Sequence, residues 1–129
     1  MSVPKELKYD KAQHIWVSVK DKMATIGITD FAQNHLGELL FIELPDIDDE
    51  FAKGDEFSVV ESSKKASPLE APFAFKVIAV NDELDDEPEA INTDAYANWI
   101  LKAKIINDDG LDELVAAADY EASIANRKH

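Results

Sequence analysis

Apolar residues recur along the chain in short runs that alternate with polar neighbours, and this spacing predicts strands parted by tight turns. His14-Ile15-Trp16-Val17-Ser18-Val19 and Met23-Ala24-Thr25-Ile26-Gly27-Ile28 form the first two. Asp21-Lys22 between them implies a hairpin, although the glycine that favours such turns is missing. A short helix is expected next. Thr29 can cap its start, Phe31, Ala32 and His35 or Leu36 fall at helical spacing, and Gly37 can end it in a left-handed conformation. Glu38-Leu39-Leu40-Phe41-Ile42-Glu43-Leu44-Pro45 is then a strand halted by proline, which has no N–H to give to a ladder. Residues 46–50 make an acidic loop, Phe51-Ala52-Lys53-Gly54-Asp55 a turn, and residues 56–61 another strand.

The design then recurs. Phe41-Ile42-Glu43-Leu44-Pro45-Asp46-Ile47-Asp48-Asp49 is echoed by Val77-Ile78-Ala79-Val80-Asn81-Asp82-Glu83-Leu84-Asp85. Each copy joins a strand through an acidic loop to a further strand, residues 57–61 in the first and 99–104 in the second. Two copies imply an internal pseudo-two-fold, since an open array needs at least three repeats. Two facing halves can bury one core as a flattened sandwich or barrel. The chain ends in a helix expected at about residues 109–125, capped by Asp108 or Asp109. Its apolar stripe would be Leu111, Leu114, Val115 and Ala118, joined by Ala122 and by Tyr120 or Ile124, and would pack on the chain's own sheets. Asp112 and Glu113 would lie at its positive end, Arg127 and Lys128 at its negative end. The fold class is mainly β, with a short internal helix and a C-terminal helix.

Length and composition narrow the function. The 129 residues leave room for one domain, 1–129, with a real core. No apolar run is long enough to cross a bilayer, and Met1-Ser2-Val3-Pro4-Lys5-Glu6 lacks the pattern of a secretion signal, so the cytoplasm is the expected location. With 27 acidic residues against 13 basic ones the net charge is −14, which disfavours nucleic acid and anionic membranes and steers the chain toward basic patches on protein partners. The chain has no cysteine, which excludes disulfides and thiolate metal sites. His14, His35 and His129 are too scattered for a metal set, and no Gly-x-Ser-x-Gly, His-Glu-x-x-His or phosphate loop is present. The acidic runs 46–50 and 82–87 lack the spacing and central glycine of a calcium loop. No catalytic motif of these kinds marks the chain as an enzyme.

One stretch carries candidate chemistry. After the strand Phe57-Ser58-Val59-Val60, β-forming residues give way to Glu61-Ser62-Ser63-Lys64-Lys65-Ala66-Ser67, followed by Pro68-Leu69-Glu70-Ala71-Pro72. Small polar residues around two lysines predict an exposed β-turn. A lysine there is a flexible amine on a four-carbon stem, open to acylation. Surface lysines also serve simply to keep strand edges from sticking.

Several motifs fall in order along the chain. They are His14-x-Trp16, Gly27-Ile28-Thr29-Asp30-x-Ala32-Gln33, Leu36-Gly37-Glu38-Leu39-Leu40-Phe41-Ile42-Glu43-Leu44-Pro45, Glu61-Ser62-x-Lys64-x-Ala66-Ser67 and Val80-Asn81. On them the chain resembles the H proteins of the glycine cleavage system, from Glu6-Leu7-Lys8-Tyr9 to the final helix. The resemblance implies a barrel-sandwich hybrid related to lipoyl and biotinyl domains. It also implies that Lys64 carries covalent lipoate, with Glu61 and Ser62 helping the attaching enzyme to recognise the turn; Lys65 stands where the family usually has alanine. The implied role is a shuttle rather than an enzyme. A pyridoxal-phosphate glycine decarboxylase (P protein) would load the aminomethyl group of glycine on the arm. An aminomethyltransferase (T protein) would remove it, and dihydrolipoyl dehydrogenase (L protein) would reoxidise the dithiol. A lipoate ligase or a lipoyl/octanoyl transferase would attach the group.

Three positions depart from that pattern. Ile15 replaces the usual acidic residue, Phe31 a common histidine, and Pro68 the usual aspartate. An apolar side chain cannot offset the charge of a protonated amine, so the departures imply a cleft that holds the loaded arm less well. A divergent H-like protein that relays lipoyl groups to another lipoate-dependent enzyme, or an unmodified interaction domain, are the alternatives this raises. Pro72-Phe73-Ala74-Phe75-Lys76 and Tyr96-Ala97-Asn98-Trp99 also lack family glycines, which implies different turns.

Overall fold

A computed structural model describes residues 3–125. Nine strands, β1 (Lys8–Asp10), β2 (Ile15–Lys20), β3 (Met23–Ile28), β4 (Leu39–Glu43), β5 (Glu50–Phe51), β6 (Glu56–Ser62), β7 (Ala66–Glu70), β8 (Ala74–Val80) and β9 (Leu101–Asn107), make two sheets. The larger runs β1-β2-β3-β9-β8-β5 and the smaller β4-β6-β7. Helix α1 (Asp30–Leu36) joins β3 to β4, the one-turn helices α2 (Glu83–Asp86) and α3 (Ala90–Thr93) lie between β8 and β9, and α4 (Ala117–Ala125) closes the described chain. The spacing of apolar residues implies a mainly β fold and the resemblance a barrel-sandwich hybrid, and the two sheets agree with both.

Alternation places the core. On β2, Ile15 and Val17 face inward with Ile26 and Ile28 of β3, and meet Leu39, Ile42, Val60 and Leu69 of the small sheet. Trp16 points to the other face, into a second cluster with Tyr9, Ala117 and Tyr120. The large sheet is therefore covered on both sides at this end, which explains why β2 opens with three buried residues in a row. The Asp21-Lys22 hairpin forms as expected, with Lys20 opposite Met23 and Asp21 at φ 59°. Short polar side chains tolerate that left-handed region, so no glycine is needed.

The sequence echo has a structural counterpart. In the first copy β4 pairs with β6, Ile42 opposite Val60; in the second β8 pairs with β9, Val77 opposite Ala103. The copies lie in different sheets, and these four side chains share one core. The acidic run 82–87 is not a loop, however, because α2 occupies residues 83–86. Leu84 and Ile91 are fully buried and draw this stretch onto the core as two helical turns. β9 also starts at Leu101, two residues later than expected.

The C-terminal helix requires a larger correction. It begins at Ala117, not near residue 109, and Leu111–Glu113 is a separate 3-10 turn. Val115 is extended and exchanges hydrogen bonds of 2.8 and 2.9 Å with Tyr9, a pairing that a helix through residue 115 would forbid. Asp108 and Asp109 therefore cap nothing in α4, and Glu113 instead bonds Lys53 at 2.7 Å. The buried stripe is Ala117 and Tyr120 with the half-buried Ile124, while Ala118 and Ala122 are exposed. Leu111 and Leu114 pack on the main core and Val115 on the second cluster, so the chain crosses between the two before it coils. Tyr120 stacks on Tyr9 with ring centroids 4.7 Å apart, so α4 does pack on the chain's own sheet. Arg127 and Lys128 lie outside the described residues.

Burial beside this stack pushes the Tyr9 phenol well above the usual tyrosine range, with Tyr96, Glu6, Tyr120 and Glu121 adding to the rise, and burial also raises Tyr96. The folded chain thus holds protons that the unfolded chain releases near pH 10. The sign is fixed: this stability is complete below about pH 10 and drains away as the pH climbs toward the folded-state values. The urea midpoint is expected to stay level between about pH 7 and 9 and to fall above about pH 10.

Candidate functional site

The pairing of Glu61 with Ala66 leaves Ser62, Ser63, Lys64 and Lys65 to reverse the chain between β6 and β7. Ser62 builds the reversal. Its N–H donates to the Lys65 carbonyl at 2.9 Å, and its hydroxyl oxygen accepts from the Lys64 and Lys65 N–H groups at 3.2 and 3.3 Å. A serine that bonds the backbone ahead of it in this way substitutes for a backbone turn. Glu61 is exposed, laddered between Phe41 and Ala66. The strand after the turn contains Pro68, which is tolerated because β7 is an edge of its sheet.

Lys64 sits at the tip of the turn and is exposed, as the sequence predicted. Its amine makes no hydrogen bond or ion pair among the described residues. The stem is not adrift, because it crosses Gly37: a Cβ placed on Gly37 would lie 3.5 Å from Lys64 Cε and 3.8 Å from Nζ. The Ser63 N–H donates to the Glu38 carbonyl at 3.2 Å, fastening the turn to the junction of α1 and β4. A free amine on an aliphatic stem held over a glycine fits an acyl group attached through an amide.

Helix α1 puts Gly37 in place. Thr29 caps it by accepting from the Ala32 N–H at 3.1 Å, and the Gly37 N–H ends it by donating to the Gln33 carbonyl at 3.0 Å. The Thr29 hydroxyl is buried 2.7 Å from that of Tyr120, which lies 2.9 Å from His14 Nδ1. Trp16 Nε1 donates to the Ala95 carbonyl at 3.2 Å. His14 and Trp16 thus tie β2 to α4 and to the segment before β9.

An open cleft of about 490 Å³ adjoins the Gly37 bend, lined by Gln33, Asn34, Gly37, Glu38, Glu89, Asn92 and Thr93. The three departing residues do not line it. Ile15 is fully buried in the main core, Phe31 packs between His14 and His35 at centroid distances of 4.9 and 5.8 Å, and Pro68 is exposed on β7. In the sequence Gly37 reads as a helix stop and as one residue of the motif at 36–45, and Asn92 stands out in no motif. Nothing local marks either as part of the lysine's support.

The glycine cleavage H-protein family model matches residues 7–127. The chain belongs to the glycine cleavage H-protein family. Among relatives of this family, the glycine cleavage system H protein of Alkaliphilus oremlandii is 53% identical over 114 residues, covering 88% of this chain and 89% of its own. That of Clostridioides difficile is 50% identical over 125 residues, covering 96% and 99%. The crystal structure of a glycine cleavage system H protein from Mycobacterium marinum superposes with a TM-score of 0.87 at 30% identity, covering 95% of this chain and 99% of that one. As a member of the H-protein family, the chain is a carrier subunit of the glycine cleavage system. Among the described residues no helix is long and apolar enough to cross a membrane.

Proposed function

We propose that the chain carries a lipoyl group on Lys64 and shuttles the aminomethyl group of glycine on that arm. The observation that carries this reading is the Lys64 amine, exposed at the turn's tip and unpaired among the described residues, with its stem seated on Gly37. When attached, lipoate supplies the disulfide and thiol chemistry that a chain without cysteine lacks. The residues present it: Ser62 fixes the turn, Gly37 gives the stem a flat seat, and Glu61 and Ser62 mark the turn for a lipoate ligase or lipoyl/octanoyl transferase. The 129 residues act as one carrier domain in the cytoplasm and catalyse no step themselves. The partners are glycine decarboxylase, aminomethyltransferase and dihydrolipoyl dehydrogenase, whose basic surface patches the −14 charge favours.

Reconstitution tests the reading. Glycine decarboxylase supplied with glycine and the lipoylated chain is expected to release carbon dioxide at a rate that saturates with carrier concentration. The unmodified chain is expected to support none. A lipoylated chain that is inert with this decarboxylase would move the assignment to a lipoyl relay for another enzyme.

A further inference from the structure

We propose that Asn92 is a positioning residue for Lys64, holding the Gly37-Glu38-Leu39 bend on which the lysine turn rests; this rests on the reading of Lys64 as the lipoylated residue. Asn92 lies in α3, distant in sequence from both Lys64 and Gly37. Its Oδ1 accepts from the Leu39 N–H at 2.9 Å, and its Nδ2 donates to the Gly37 carbonyl at 2.9 Å and to Gln33 Oε1 at 2.8 Å. A side-chain amide has one acceptor oxygen and two N–H donors, and here both ends serve the same bend.

The bend is thereby clamped from two sides. Asn92 fixes the Gly37 carbonyl and the Leu39 N–H, and Ser63 of the lysine turn holds the Glu38 carbonyl between them at 3.2 Å. Gly37 has φ 85° and ψ −159°, so its carbonyl direction is not set by helix or strand geometry. Without the Asn92 amide the 37–38 and 38–39 peptides both lose an anchor, the Glu38 carbonyl swings from Ser63, and the stem of Lys64 loses its seat. Asn92 itself is held from behind. Its neighbour Ile91 is fully buried, and Asn98 Nδ2 donates to the Ala90 and Asp94 carbonyls at 3.0 and 2.9 Å.

That second asparagine supplies the control, because Asn98→Ala loosens the same segment without touching the bend. The full unmodified chain is measured as wild type, Asn92→Ala, Asn92→Asp and Asn98→Ala. The readouts are 15N order parameters and the kinetics of lipoate attachment by a lipoate ligase with ATP and lipoate. In Asn92→Ala the order parameters of Ser63 and Lys64 are expected to fall from about 0.85 to below about 0.6. The KM for the chain is expected to rise about fivefold with kcat little changed, in keeping with the loss of one or two net hydrogen bonds. Asn92→Asp sets a carboxylate against the Gly37 carbonyl and is expected to match Asn92→Ala. Asn98→Ala is expected to keep wild-type values in both readouts. Unchanged order at Ser63 and Lys64 in Asn92→Ala, or an equal loss in Asn98→Ala, would overturn the proposal. Should the wild type accept no lipoate, the Lys64 reading fails by itself, and the order parameters still decide the role of Asn92.

Discussion

Lys64→Arg is expected to fold like the wild type and to take up no lipoyl group, whereas Lys65→Arg is expected to be loaded at close to the wild-type rate. The two lysines are neighbours, but their surroundings differ. Lys65 closes the turn just before the return strand: its N–H donates to the Ser62 hydroxyl oxygen and its carbonyl accepts from the Ser62 N–H. Lys64 stands at the tip with its stem over Gly37. Arginine keeps the positive charge and the reach of the side chain, so folding should be untouched, but a guanidinium that never loses its proton cannot be acylated. Intact masses of the variants after incubation with ligase, ATP and lipoate decide the matter. Loading of Lys64→Arg, or its loss in Lys65→Arg, would show that the wrong neighbour has been assigned.

The second large effect is expected at Gly37. Gly37→Ala should cost about 2–3 kcal/mol, because φ 85° with ψ −159° is a region that residues with a Cβ hardly enter. Steric overlap is not the cause. The new Cβ would meet Lys64 Cε at 3.5 Å, an ordinary contact. The cost lies in the backbone, and relieving it means turning the Gly37 carbonyl away from Asn92. Stability and loading should therefore fall together, with a Tm roughly 10 °C lower and lipoate attachment about tenfold slower. A variant with wild-type Tm and wild-type loading would mean that the bend is not the support for the lysine.

Where a short stretch of chain decides its own conformation, the sequence was a sufficient guide. Thr29 and Gly37 cap α1 through bonds within a few residues, and Ser62 shapes its turn from its own side chain. The same holds for the alternation that sends Ile15 and Val17 one way and Trp16 the other. Expectations failed where distant residues intervene. Leu111, Leu114, Val115 and Ala118 have helical spacing, yet Tyr9 claims the backbone of Val115 and postpones the helix to Ala117. The acidic run 82–87 looked like solvated loop, but Leu84 draws it onto the core as a helical turn. The candidate site divides in the same way. The exposed turn around Lys64 and Lys65 was legible from its neighbours, and the choice of Lys64 came from the family motif, whereas Asn92 is an unremarkable polar residue until the fold carries it to Gly37. The departures at Ile15, Phe31 and Pro68 were visible in sequence, but their dispersal among the core, an aromatic stack and a strand edge was not.

The most direct test of the central claim is the intact mass of the wild-type chain purified from lipoate-replete cells, followed by peptide mapping. One added lipoyl group, located on Lys64 and on no other residue, is the expected result. A chain that stays unmodified even with excess ligase and lipoate, or one labelled at Lys65 instead, would contradict it.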